Sequence, residues 1–280
     1  MRFKVDHDLH IHSLISPCCR HDSRQTKEAI LAYGMTNDFR LLCVTDHLWD
    51  RNIYSPCGTW LNDGLDFEKG RELLPLPQSS RCRFLYGVEV DMDYMGNIGV
   101  SQEEMDTFDF LIFAPGHLHM DFTIDKKRIG NTAKEHKEYY KERLGRLLQM
   151  ELPFHKCGLA HFTTPLVCMN EPVRVFELFT DYEYEQIFGR VADLGMGVEL
   201  NLWKELSYTD SDRERILRPY RIAKAMGCQF YMGGDSHSPE GFTGKKEAFE
   251  QITDLLGLKE EQKFSFVVKN TPEGYDRYKV

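Results

Sequence analysis

The sequence predicts an α/β fold, a seven-stranded TIM-like barrel, from three observations. Short apolar runs recur along the chain, each is followed by a segment of helical periodicity, and ionisable residues stand at or near the ends of those runs. Strands are expected at residues 3–12 (FKVDHDLHIH), 40–47 (RLLCVTDH), 83–92 (RFLYGVEVDM), 108–117 (FDFLIFAPGH), 158–163 (GLAHFT), 196–201 (MGVELN) and 228–237 (CQFYMGGDSH). The intervening helices show best in TKEAILAYGM, KEHKEYYKERLGRLLQM, EYEQIFGRVADLGM and DRERILRPYRIAKAMG, where apolar residues recur at three- and four-residue steps and glycine often marks the end. Such alternation argues for a parallel sheet. His12, His47, Glu89, His117, His161, Asp235 and His237 fall at or near the C-terminal ends of different strands, which favours a closed sheet. A parallel barrel brings those ends to one mouth, whereas the outer strands of an open sheet lie too far apart to share a site.

The 280 residues suffice for one large core, and no Pro/Gly/Ser-rich or single-charge stretch splits them, so a single domain over 1–280 is expected. Hydrophobic residues at 41% and charged residues at 28% exclude a disordered chain. No apolar run approaches membrane-spanning or signal-peptide length, so a cytoplasmic location with no membrane partner is expected. Eight scattered cysteines, with no Cys-x-x-Cys pair, read as reduced thiols. The net charge of −9 disfavours nonspecific nucleic-acid binding, which depends on Lys and Arg neutralising phosphates, but leaves room for a small phosphorylated substrate at a metal-rich site. The long connection at about 48–82, with a helical piece in DFEKGRELL, is either a functional element of the active face or a plain excursion.

Two motifs carry the metal argument. In DLHIH, His10 and His12 are two apart on a strand and project from one face, with Asp8 on the same face one step deeper, placed to orient a ligand histidine. In GGDSH, Asp235 and His237 share a face at the end of the last strand, and a carboxylate beside an imidazole suits Zn, Mn or Fe. His47 in VTDH, Glu89 in GVEVDM, His117 in PGHLH and His161 in LAHF extend the pattern. Burying so many ionisable groups without partners would cost kilocalories, and a metal resolves that cost.

Through DLHIH, VTDH, GVEV, the histidine after FDFLIFAPG, LAH and GGDSH, taken in that order over most of the chain, the sequence resembles the polymerase and histidinol phosphatase (PHP) family. The resemblance implies a distorted (βα)7 barrel holding two or three divalent ions. His10, His12, Glu89 and Asp235 would hold the first, His21, His47 and His237 the second, and Glu89 again, with His117 and His161, the third. His21 stands later than the third histidine of the histidinol-phosphatase members, so Cys18, Cys19 and Asp22 are alternatives to it. In PGHLH either His117 or His119 can serve, and His117 lies nearer the strand end.

The remaining candidates have quieter readings. His7, on the opposite face from His10, His136 in a charged helix and His155 in a loop read as structural or solvated, and Asp46 and Asp91 as hydrogen-bonding supports. Glu199 and Asn201 share a face at the end of the sixth strand, where a role toward substrate or ligand and a buried hydrogen-bonding role weigh equally. Trp49 and Trp203 follow strands and either wall the pocket or pack in the core. With neither a Gly-x-Ser-x-Gly elbow nor a phosphate-cradling loop, water is the expected attacking group. The expected reaction is hydrolysis of a small phosphate monoester by metal-bound hydroxide, with Arg20, Arg24, Arg51 and Arg174, each read first as surface charge, and Asn201 as candidate substrate contacts. The rivals are an amidohydrolase-type deaminase or amidase and a non-catalytic metal-binding module.

Overall fold

The computed structural model describes residues 1–19, 22–55, 58–202 and 205–278. Arg20, His21 and Trp203, all singled out above, lie outside the described residues. Seven strands pair in parallel and in chain order: β1 (His7–Ile11), β2 (Leu41–Val44), β3 (Arg83–Val90), β4 (Phe110–Phe113), β5 (Cys157–Leu159), β6 (Gly197–Leu200) and β7 (Gln229–Met232). The sheet then bends round on itself. Asp235 N donates to His10 O at 2.7 Å and His12 N to Ser236 O at 3.1 Å, so the segment after β7 meets the end of β1 and nearly closes a barrel. Each strand lies inside its predicted run but is shorter, apart from one residue at the start of β5.

The helices are α1 (Lys27–Thr36), α2 (Phe67–Arg71), α3 (Gln102–Met105), α4 (Ala133–Leu147), α5 (Arg174–Glu177), α6 (Asp181–Leu194), α7 (Asp210–Ala225), α8 (Lys245–Leu255), α9 (Ser265–Asn270) and α10 (Pro272–Tyr278). Local chemistry sets their limits. Thr132 with Glu135 and Thr180 with Glu183 form reciprocal caps that satisfy the first free amides of α4 and α6. Gly195, at φ 69°, ends α6 in the left-handed conformation that costs glycine least. On α6 the buried residues are Tyr184, Ile187, Phe188 and Val191, a stripe at helical spacing that packs onto the barrel.

Two cores result. Phe84, Tyr86, Val88 and Val90 of β3 point outward into the layer under the helices, while Leu85 points into the barrel with Leu9, Leu41, Cys43, Phe110, Ile112 and Tyr231. Phe264, Phe266 and Val267, at the start of α9, plug the barrel from its N-terminal end. Strand alternation then carries Gly87 and Glu89 inward after Leu85. A side chain at Gly87 would meet Cys43 Sγ and Phe110 O, each at 2.6 Å, so glycine lets the strands close beneath Glu89.

β1 departs from simple alternation. Its register against β2 slips by one residue between Asp8 and Ile11, a bulge that puts Leu9 in the inner core and Ile11 in the outer layer. This corrects the expectation for Asp8. It turns outward to α1, accepts from Tyr33 Oη at 2.9 Å, and binds the backbone amides of Gly234 (2.8 Å) and His10 (3.2 Å) instead of orienting a ligand imidazole. Trp49 is fully buried, donates Nε1 to Ile53 O at 2.9 Å and meets the edge of Phe122, so it packs in the core.

Candidate metal centre

Glu89 is the hub of the mouth. Its carboxylate, 1% exposed, is faced by five imidazoles from the ends of four strands, β1, β2, β4 and β5. Around Oε2 stand His10 Nε2 (3.0 Å), His12 Nε2 (3.2 Å) and His47 Nε2 (3.2 Å); around Oε1 stand His161 Nε2 (3.0 Å) and His117 Nε2 (3.7 Å). Asp235 Oδ1 completes the inner group at 3.1 Å from His12 Nε2 and 3.4 Å from His10 Nε2. Asp235 and His161 both adopt positive φ, at 49° and 21°, a backbone cost that a side chain without a task would not repay.

The donor set fits divalent metal. His10 Nε2 and His12 Nε2 lie 3.2 Å apart and face the same carboxylate oxygen, an arrangement in which hydrogen bonds compete for one acceptor but lone pairs converge on one centre. Ligand atoms within 4.8 Å of one another define four groups: His10, His12, Glu89 and Asp235; His47, Glu89 and His117; His10, His161 and Glu199; and His12, Cys18 and His237. The first is the set the resemblance implies for its first ion. The others differ from the implied grouping, since His47 stands with Glu89 and His117, and His237 with His12 and Cys18.

Electrostatics bind the cluster together. Burial alone would push the His10 imidazole down, but the charges of Glu89, Glu199 and Asp235 outweigh it and hold His10 well above its ordinary value. Burial likewise opposes His47, which Glu89 and Asp91 push up to about 9. For Glu89, burial would raise the carboxyl, yet His10, His47 and His117 hold it well below the usual carboxylate range. Protons satisfy such a cluster when metal is absent, and a divalent ion displaces them when it binds.

A second layer of contacts sets which ring nitrogen faces inward. Glu199 Oε1 holds His10 Nδ1 at 2.7 Å, and its other oxygen accepts from His161 N at 2.5 Å. Gly233 makes this possible, because a Cβ there would stand 1.8 Å from Glu199 Oε1. Asp91 Oδ1 holds His117 Nδ1 at 2.8 Å; Oδ2 lies 2.8 Å from His47 Nδ1, close but not aligned as a hydrogen bond. Trp60 donates Nε1 to Asp91 Oδ2 at 2.5 Å and stacks on His47 with centroids 4.4 Å apart, so the long connection returns to the mouth at Trp60. Asp46 accepts from Ser13 N (2.7 Å) and Ser13 Oγ (2.6 Å), a supporting position. His237 donates Nδ1 to Asp235 O at 2.8 Å.

Other candidates stand apart. His119 is exposed, with its ring edge toward His117. His7 is buried, accepts from Met232 N at 2.9 Å and lies 3.1 Å from Asp6; His136 bonds the carbonyls of Val167 and Gly130; His155 is exposed. Arg51 pairs with Asp66 and Glu68, and Arg174 with Glu177, all on the surface. Arg24 pairs with Asp22 and Glu240 but lines a hollow shared with Cys18 and His237. Asn201 is half-buried after β6. Trp60 reaches the mouth without having been foreseen, because it sits in an irregular segment with no periodic or motif signal.

No family model matches the chain, and no curated protein matches it. Solved structures do. A histidinol phosphate phosphatase from Lactococcus lactis subsp. lactis, complexed with zinc, L-histidinol and phosphate, is 16% identical with a TM-score of 0.59, over 93% of this chain and 98% of that one. The chain shares its fold. A histidinol phosphatase candidate from Listeria monocytogenes is also 16% identical, with a TM-score of 0.58 over 87% of this chain and 100% of its own. The predicted seven-stranded barrel is thus found both in the strand order and in these neighbours, which are of the kind the six motifs resemble.

Proposed function

We propose that this chain is a metal-dependent phosphatase that hydrolyses a small phosphate monoester at the mouth of its barrel. The observation that carries the reading is the single buried carboxylate of Glu89 with imidazole nitrogens gathered on both its oxygens. His10, His12, Glu89 and Asp235 would hold one ion, and His47, His117 and His161 would hold a second against the same Glu89. His237, which shares a ligand neighbourhood with His12 and Cys18, would serve a third. Zinc, manganese and iron all suit nitrogen and carboxylate donors, and the zinc in the Lactococcus lactis structure supports the first. Bound there, such ions supply Lewis acidity toward phosphate oxygens and toward the attacking water.

The chain's own residues do the rest. Glu199 and Asp91 keep Nδ1 of His10 and His117 occupied, so that Nε2 faces inward. Trp60 covers His47 and holds Asp91 in place. Of the three described candidate arginines, Arg24, beside His237 in the hollow, is best placed to meet a phosphate at the rim. The L-histidinol and phosphate in the similar structure support a small phosphorylated substrate. No helix among the described residues is long and apolar enough to cross a membrane. The seven described cysteines are unbridged, which supports a reducing, cytoplasmic setting. The continuous barrel supports a single domain, and the acidic balance weighs against nucleic acid.

The test is chelator-stripped protein resupplied with zinc, manganese or iron on a phosphomonoester panel, with phosphate and ammonia both assayed. Phosphate release that requires metal supports the proposal. Ammonia release alone would move the chain to the amidohydrolase class, and no turnover with metal bound would leave a binding module.

A further inference from the structure

A thiol stands among the imidazoles at the rim. Cys18 lies in the short helical turn Pro17–Cys19 after β1, and its sulfur shares a 4.8 Å neighbourhood with ligand nitrogens of His12 and His237. The two rings stack with centroids 4.4 Å apart. Because a carbonyl only accepts, the bond from His237 Nδ1 to Asp235 O fixes the proton there and leaves the Nε2 lone pair free. His12 is fully buried, and its Nδ1 has no hydrogen-bond partner among the described residues. Cys18 Sγ meets Ser16 Oγ at 2.9 Å, and the group opens onto a hollow of about 650 Å³.

We infer that Cys18 is a metal ligand, joining His237, beside the His12 ring, in a sulfur–nitrogen site for a thiophilic divalent ion, zinc foremost. The inference rests on the reading of the mouth as a metal centre and adds to it a soft donor. Thiolate selects zinc over manganese or magnesium, so this rim site would differ in preference from the nitrogen and carboxylate groups deeper in the mouth. Binding replaces the thiol proton: one sulfur–hydrogen bond breaks, one sulfur–metal bond forms, and the proton leaves to solvent. Two described donors of its own leave positions for water or a substrate oxygen, here on the side of the hollow. His12 Nε2 also faces Glu89 and Asp235, and one ring nitrogen serves one ion. Cys18 and His237 are therefore the two donors that belong to this site alone.

Cobalt(II) reports thiolate ligation directly, through a near-ultraviolet sulfur-to-metal charge-transfer band distinct from the visible bands of nitrogen and oxygen donors. Full-length protein is stripped, reduced and loaded with cobalt under argon, as wild type, Cys18→Ser and Cys19→Ser. The band should appear in wild type and Cys19→Ser and vanish in Cys18→Ser, with visible bands kept in all three. Visible bands without the near-ultraviolet band in wild type would overturn the thiolate ligand while leaving the metal centre standing. No bound cobalt in any form would overturn both, and a band surviving in Cys18→Ser would assign the sulfur elsewhere. Should Cys18→Ser not fold, iodoacetamide labelling of wild type decides: zinc should block alkylation of Cys18, and equal labelling with and without zinc would end the inference.

Discussion

The two ends of this barrel are built from the same strands with the same alternation, yet one end is oil and the other is charge. Along β3 the inward residues run Leu85, Gly87, Glu89, and along β7 and its continuation Tyr231, Gly233, Asp235. At the N-terminal end Phe110, Phe264 and Phe266 close the interior, with Phe110 and Phe266 stacked at 4.9 Å. At the C-terminal end His10, His12, His47, His117 and His161 gather about Glu89, with Asp235 beside His10 and His12. Glycines stand between the layers: Gly87 and Gly233 leave space for the strands to close and for Glu199 to reach His10. Apolar packing closes the N-terminal end, and the open C-terminal end can carry ionisable groups that packing alone would not tolerate.

Phe264→Ala should separate the two ends most sharply. Phe264 is fully buried against Gly197, whose Cβ, if present, would meet its ring at 2.6 Å. Truncation should cost about 3–5 kcal/mol of stability, read from denaturant midpoints, while metal content per folded molecule stays unchanged. A loss of metal in that variant would mean the ends are coupled. Glu199→Gln acts at the other end, keeping shape while weakening the charge behind His10. It should lower metal affinity by about 10–100-fold, the usual cost of removing such a partner, with a stability change much smaller than that of Phe264→Ala.

Acid probes the lower end through Asp6. Burial would raise its carboxyl, but His7 and Lys263 outweigh it and hold Asp6 at about 2, below the ordinary 3.8. A depressed carboxylate stabilises the fold above its unfolded value and loses that contribution as pH falls from about 4 through about 2, a loss of about 2 kcal/mol. In metal-stripped protein the fall in unfolding free energy between pH 5 and pH 2.5 should be larger for wild type than for Asp6→Asn. Equal falls would mean the pair with Lys263 is not held in solution. The smallest effect belongs to His119→Ala: the ring is exposed beside His117, and activity should stay within about twofold, in line with ordinary surface substitutions.

The same comparison explains what the sequence discloses. Glu89 was legible because β3 keeps strict alternation from Leu85 onward, so an ionisable residue at the inward position after Gly87 stands out. The seven strands and the main helices were legible for the same reason, since period and capping are local. Asp8 was misplaced because a one-residue bulge has no signature in an apolar run. The grouping of His47 with Glu89 and His117, and of His237 with Cys18, depends on distances between strand ends that no linear spacing encodes. Trp60 was invisible because its role arises only when the long connection folds back across the mouth.

The most direct test of the central claim is to measure bound metal and phosphate release together in wild type and Glu89→Gln. An amide matches the shape of the carboxylate but cannot supply negative charge to ions on both sides. Since an outlying partner alone costs about 10–100-fold, the hub itself should cost more than about a hundredfold in activity, with bound metal reduced in parallel. Glu89→Gln protein that keeps its full metal content and its full rate would contradict the account.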